Sequence, residues 1–166
     1  NVAAGEKIAR VSANMAMAAD MEVRASSTAT TGAYSSACQR GLPAILMERG
    51  GGGRFTDSEV QAYKQDVKNI MIRMGLLSGE EVHTVQQKNV TRAEYLEAET
   101  DGLWYPVFSA GDTFAGGAVL GTVRDIWGNL LREYRADYPG IVLYQTVGLG
   151  VKTGDPLIAY GEYVDR

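Results

Sequence analysis

The chain has 166 residues, 45% apolar and 22% charged, with 16 Lys and Arg against 20 Asp and Glu, a formal net charge of −4. This length suits one ordinary domain, or a partial domain plus a small module, with a real core, and the composition indicates neither a disordered nor a fibrous chain. Basic residues do not cluster and no run of about 18 apolar residues occurs, so neither a nucleic-acid partner nor a membrane span is expected.

A lone Cys38 can form no internal disulfide, which agrees with a reducing compartment. The N-terminus shows no basic region followed by an apolar stretch, and the expected localisation is cytoplasmic. Asn1-Val2-Ala3-Ala4 carries no initiating Met and suggests a cut or processed chain.

Apolar residues recur at helical spacing from about residue 5 to 19 (Ile8, Val11, Met15, Ala18) in an alanine-rich background, which predicts a helix. Met21 to Ala25 reads as a short strand, and Gly32 to Arg40 as a short helix closed by Gly41. Pro43-Ala44-Ile45-Leu46-Met47 is a short apolar run of the kind that forms a buried strand. Alternation of helix and strand predicts part of a mixed or parallel sheet. Thr56-Asp57-Ser58-Glu59 matches a capping box, and Val60, Tyr63, Val67, Ile70, Met71 and Met74 follow at helical spacing, so a helix is predicted over 57–74 with Gly75 as its stop.

Residues 76–89 are polar and mixed, a connection between two parts. From Val90 onward short β-prone runs alternate with glycine-rich turns, the pattern of a compact β module. Leu130-Leu131 is read as a strand. Within the module Gly111-Asp112-Thr113-Phe114 with Leu120-Gly121 is echoed by Gly154-Asp155-Pro156-Leu157 with Tyr160-Gly161. Such duplicated hairpins resemble biotinyl- and lipoyl-type hammerhead modules in turn pattern. A carrier needs a modifiable Lys inside a hairpin-tip motif, and Lys152 precedes its turn, so Lys152 is read as a solvated charge.

Glu48 is the candidate catalytic residue. It follows the apolar run and precedes Arg49-Gly50-Gly51-Gly52-Gly53, which presents a carboxylate at a strand end beside backbone without side chains. Ligands of open α/β sheets bind at such ends, and a carboxylate there can take a proton from an attacking water and deliver it to a leaving amine. The bland alternative, a glutamate paired with Arg49 or Arg54 at a loop edge, stays open beside it. The glycine run satisfies no phosphate-cradling motif, since no Lys follows it and no helix starts directly from it. His83 is the only histidine and reads as a surface residue, because a catalytic zinc takes about three protein ligands. No Gly-x-Ser-x-Gly elbow is present.

The stretch from Gly41 through Glu48 to Gly53, with the long helix ending Arg73-Met74-Gly75-Leu76-Leu77, resembles the corresponding part of the succinylglutamate desuccinylase/aspartoacylase family. Pro106-Val107 to Gly111-Asp112, then Leu120-Gly121, Asp125-Ile126-Trp127-Gly128, Gly140-Ile141-Val142 and Val151 to Pro156 are similar to that family's C-terminal β domain. The resemblance implies an α/β fold: residues 1–78 as the C-terminal part of a carboxypeptidase-like α/β/α catalytic domain, with helices on a mixed sheet. It implies residues 79–166 as a small all-β C-terminal module resembling a hammerhead or barrel.

It further implies a hydrolase that cleaves the amide or ester of an N-acyl amino acid, with Glu48 as general acid/base on a zinc-bound water. In the family the zinc is held by a His-x-x-Glu pair and a later His, all upstream of where this chain begins. No metal ligand is therefore assigned here, and the fragment alone is expected to be inactive. The expected partner is the small N-acyl substrate, together with further copies of the chain, since a truncated α/β/α domain leaves sheet edges and apolar helix faces uncovered. The reading of a different class is a non-catalytic binding or oligomerisation module.

Overall fold

The computed structural model describes residues 5–165; Asn1 to Ala4, where the missing Met was noted, lie outside the described residues. The chain divides into two compact units, one reaching Asn89 and the other spanning Val90–Val164.

In the first unit, α1 (Glu6–Ala18) follows Gly5 and buries Ser12 and Ala18. A three-residue strand β1 (Val23–Ala25) comes next, and the N–H of Lys88 donates to the carbonyl of Glu22 just before it. Helix α2 (Ala33–Gln39) closes on Gly41 at φ +85°, with the N–H of Leu42 donating to the Ala37 carbonyl over 3.0 Å. That is the six-to-one bond of a Schellman ending, and it needs a left-handed residue where Gly41 stands.

Helix α3 (Asp57–Arg73) starts with the capping box read from the sequence: the Glu59 N–H donates to Thr56 Oγ1 over 3.3 Å and the Thr56 N–H to Glu59 Oε2 over 2.6 Å. It stops at Gly75, φ +72°, with the Leu76 N–H on the Met71 carbonyl at 2.8 Å. Replacing Thr56 by Ala removes the acceptor for one otherwise orphaned donor, and should cost about 1 kcal/mol of stability. The readout is a lowered urea midpoint with no change in its slope.

One expectation for this unit needs correction. Pro43 to Met47 forms no strand, because no other strand lies alongside it among the described residues. The sheet expected beneath the helices is accordingly reduced, within this unit, to β1 and the first residues of β2 (Lys88–Glu97). The most deeply buried residues of α3 are polar. Asp66 and Asn69 are fully buried, while Val67, Met71 and Met74 remain exposed. The polar pair is buried because each meets its hydrogen-bonding needs inside the unit. Asn69 Nδ2 donates to the Val82 carbonyl (2.7 Å) and its Oδ1 accepts from the Val82 N–H (3.0 Å).

The polar stretch before β2 is thereby tied down. Asp20 accepts from the Thr84 N–H and hydroxyl at 2.8 and 2.6 Å and from the Val85 N–H at 3.2 Å. Burial raises the Asp20 carboxyl, but the Thr84 hydroxyl and the two amides outweigh it and hold the group below the usual carboxylate range.

Every regular element of the second unit is a strand: β2 (Lys88–Glu97, entering the unit at Val90), β3 (Gly102–Pro106), β4 (Thr113–Phe114), β5 (Val119–Arg124), β6 (Leu130–Arg135), β7 (Gly140–Gln145), β8 (Gly150–Val151) and β9 (Pro156–Asp165). Within it one sheet runs β2-β9-β7-β4 and the other β6-β5-β3-β8. Exchanging β2 with β6, β3 with β7, β4 with β8 and β5 with β9 turns one strand order into the other. The antiparallel β3–β5 and β3–β8 pairs then correspond to β7–β9 and β7–β4.

The two Gly-Asp turns obey the same exchange. Asp112 Oδ2 accepts from the Ser109 N–H and Asp155 Oδ2 from the Lys152 N–H, each over 2.8 Å, with Gly111 and Gly154 at φ +90° and +89°. Each carboxylate closes its own turn, so both copies of the motif do the same work. Trp104, Leu120, Val123, Val142, Leu157, Ile158 and Tyr160 form the core. The Trp104 indole stands edge-on to Tyr134, centroids 5.7 Å apart. Gly121 is where the ring lies closest: a Cβ there would sit 2.2 Å from it.

Candidate functional site

Glu48 lies on the segment between Pro43 and the glycine turn, with its side chain exposed and no hydrogen bond or ion pair to any described residue. The pairing with Arg49 or Arg54 that its loop-edge reading requires is not formed among them. Arg49 is committed elsewhere: its Nε donates to Asp66 Oδ2 over 2.6 Å and its Nη2 to Asp66 Oδ1 over 3.0 Å and to the Asp20 carbonyl over 2.7 Å. The hydrogen bonds to Asp66 raise the already high pKa of this guanidinium. Asp66 also accepts the Asp20 N–H at 2.8 Å, so three donors meet its buried carboxylate.

The remainder of the segment is held by side chains where a strand would be held by backbone. The Ala44 N–H donates to Ser12 Oγ (3.1 Å) and its carbonyl accepts from Cys38 Sγ (3.5 Å), while Ser12 and Cys38 contact each other at 3.6 Å. The Met47 carbonyl accepts from the Tyr63 hydroxyl over 2.6 Å. After Glu48 the chain turns sharply. Gly50, Gly52 and Gly53 all have positive φ, and the Arg54 N–H bonds back to the Gly51 carbonyl at 3.1 Å. The glycine run is thus a tight turn, in keeping with its lack of a phosphate motif.

An open groove of about 440 Å³ beside this turn is lined by Arg49, Gly50, Phe55, Glu59, Val60, Tyr63, Lys64 and Val67. A second, of about 500 Å³, runs along Ala44, Ile45 and Leu46 against Tyr34 and Ala37 of α2. Both are mostly apolar.

His83 is exposed and its Nε2 lies 2.9 Å from Glu81 Oε2. Glu81 is also bonded to Arg73, and that hydrogen bond together with the one to His83 lowers its pKa. No group of three His, Cys, Asp or Glu able to hold a metal ion occurs among the described residues, so the ligands of a zinc site are not found on them. Lys152 is exposed at the start of its turn. No helix among the described residues is long and apolar enough to cross a membrane.

No protein-family model matches the sequence, and a search of curated proteins finds no match. Solved structures do match. The apo ectoine utilization protein EutE (DoeB) from Ruegeria pomeroyi superposes with a TM-score of 0.79 at 26% identity, over 92% of this chain and 50% of that one. The succinylglutamate desuccinylase/aspartoacylase from Rhodobacter sphaeroides gives 0.78 at 23% identity, over 97% and 51%. The fold is that of the succinylglutamate desuccinylase/aspartoacylase family. An aspartoacylase family protein from Mesorhizobium loti agrees, with a TM-score of 0.76 at 21% identity over 98% and 50%. The chain spans about half the length of the solved family structures it matches.

Sequence reasoning missed the polar residues that hold Glu48's segment and the stretch before β2. Asp66 and Asn69 stand three apart on one helix face, inside a period that was read only through its apolar members. A polar pair at that spacing was the available signal. Ser12 and Asp20 carried none, since their partners lie 32 and 64 residues away in sequence.

Proposed function

We propose that the chain is the C-terminal part of a hydrolase that cleaves the amide, or ester, of an N-acyl amino acid or similar small substrate, with Glu48 as its general acid/base. The observation that carries this reading is an exposed carboxylate with no partner among the described residues, on a segment whose neighbouring residues are both fixed, within a fold shared with desuccinylase and aspartoacylase structures. A carboxylate so placed accepts a proton from the attacking water as the water oxygen bonds to the acyl carbon. It returns the proton to the amine nitrogen as the C–N bond breaks. Water serves as nucleophile, the amine leaves neutral, and Glu48 ends as it began.

The zinc implied by the resemblance does not fit the described residues, which offer no ligand set. On this reading its ligands lie outside the described residues. The exchangeable strand orders and matched Gly-Asp turns support a duplicated, hammerhead-like origin for the second unit. A second reading, that this unit serves binding or oligomer contacts, is favoured by the β5–β6 turn. Asp125 Oδ1 accepts from the N–H groups of Trp127 and Asn129, and the turn leaves Ile126 and Trp127 76% and 82% exposed.

The test is metal content and turnover of the longer protein that carries this chain, assayed on N-acyl amino acids. About one zinc per chain with release of free amino acid is expected. No metal and no turnover would give the binding reading the lead.

A further inference from the structure

Among the described residues no strand runs beside the segment that carries Glu48, and its backbone there is held by side chains. The residues on either side of it are clamped by one helix. Before it, the Met47 carbonyl accepts the Tyr63 hydroxyl at 2.6 Å; after it, the Arg49 guanidinium grips buried Asp66 at 2.6 and 3.0 Å. Tyr63 and Asp66 are three residues apart on α3 and so lie on one face, one turn from each other. Asp66 is in turn held by the Asp20 N–H, and Arg49 by the Asp20 carbonyl, which locks the grip to the chain just beyond α1.

From this we propose that Asp66, through Arg49, and Tyr63, through the Met47 carbonyl, are positioning residues that bracket Glu48 and set where its carboxylate stands. The inference rests on the reading of Glu48 as acid/base. The competing account is that the Arg49–Asp66 pair merely stabilises the unit. The two differ in what loosens when the pair is broken. A structural pair loosens α3 with everything attached to it, whereas a bracket releases residues 47–49 and leaves the helix intact.

The experiment compares wild type, Asp66→Asn, Arg49→Lys and Tyr63→Phe. The last of these removes one hydroxyl, keeps the ring, and so remains informative should the buried substitution fail to fold. Backbone ¹⁵N relaxation on the longer protein that carries this chain should give order parameters of about 0.85 at Glu48 and Arg49 in wild type and below about 0.6 in Asp66→Asn and Arg49→Lys, with α3 unchanged. Tyr63→Phe should lower the value at Met47 and Glu48 alone. In the longer protein, kcat should fall about tenfold or more while KM stays within about twofold, the signature of a misplaced reacting group.

Unchanged order parameters, or equal loosening along α3, would overturn the bracket. Loosening with undiminished kcat, where Glu48→Gln has abolished turnover, would overturn positioning while leaving the catalytic reading intact. Full turnover in Glu48→Gln would remove that reading, and the positioning role with it.

Discussion

Glu48→Gln in the longer protein is expected to lower kcat by about 10²–10⁴-fold, the usual contribution of a positioned general acid/base, with little change in KM. Glutamine keeps the shape and the polarity of the side chain but cannot take up and return a proton under working conditions. Because the carboxylate is exposed and bonds to no described residue, the substitution removes no folding contact. The urea midpoint should therefore shift by no more than about 0.5 kcal/mol equivalent, as surface substitutions do. Stability and turnover are thus predicted to part company, and that separation is what a loop-edge glutamate would not show. Retained zinc with lost turnover would place the defect in proton transfer. Equal activity in the two proteins would return Glu48 to the role of a surface charge and leave the fold similarity without a catalytic residue in this chain.

Much of the fold was legible because its signals are local. The ends of α3 are written in Thr56, Glu59 and Gly75, each acting within a few residues of itself, and the structure begins and ends the helix there. The Gly-Asp turns are equally local: Asp112 and Asp155 each close on a backbone amide three residues back. The strand at Pro43 to Met47 was not settled by its apolar character, since strand structure depends on a neighbour, and none of the described strands runs beside it.

The candidate site divides along the same line. Glu48 stood out in the sequence by its setting between an apolar run and four glycines and by its place in a family pattern. What holds its neighbours comes from residues 16 or more positions away, Tyr63 for Met47 and Asp66 for Arg49. Reading the apolar period of α3 directed attention to Val67 and Met71, which are exposed, and past Asp66 and Asn69, which are buried. A buried polar residue is favourable only once its partners are in place, so its role becomes visible with the fold and not before it.

Trp104→Ala should be the most damaging single change to the second unit, with an expected loss of about 3–5 kcal/mol. The indole is almost fully buried, packs edge-on against Tyr134, and fills the space that Gly121 vacates by having no side chain. Its Nε1 has no hydrogen-bond partner among the described residues, so the expected loss is mainly packing and cavity formation. Collapse cannot readily heal the void, because the ring lies between the β5 backbone at Gly121 and core side chains from several strands. Against a net stability of about 5–15 kcal/mol for an ordinary domain, such a loss should bring the unfolding midpoint far down in urea. The matched control is Trp127→Ala, which removes the same side chain from a turn where it is 82% exposed and should shift the midpoint by no more than about 0.5 kcal/mol equivalent. If the two substitutions cost the same, the β module would not be organised around Trp104, and the place of Gly121 in β5 would need another explanation.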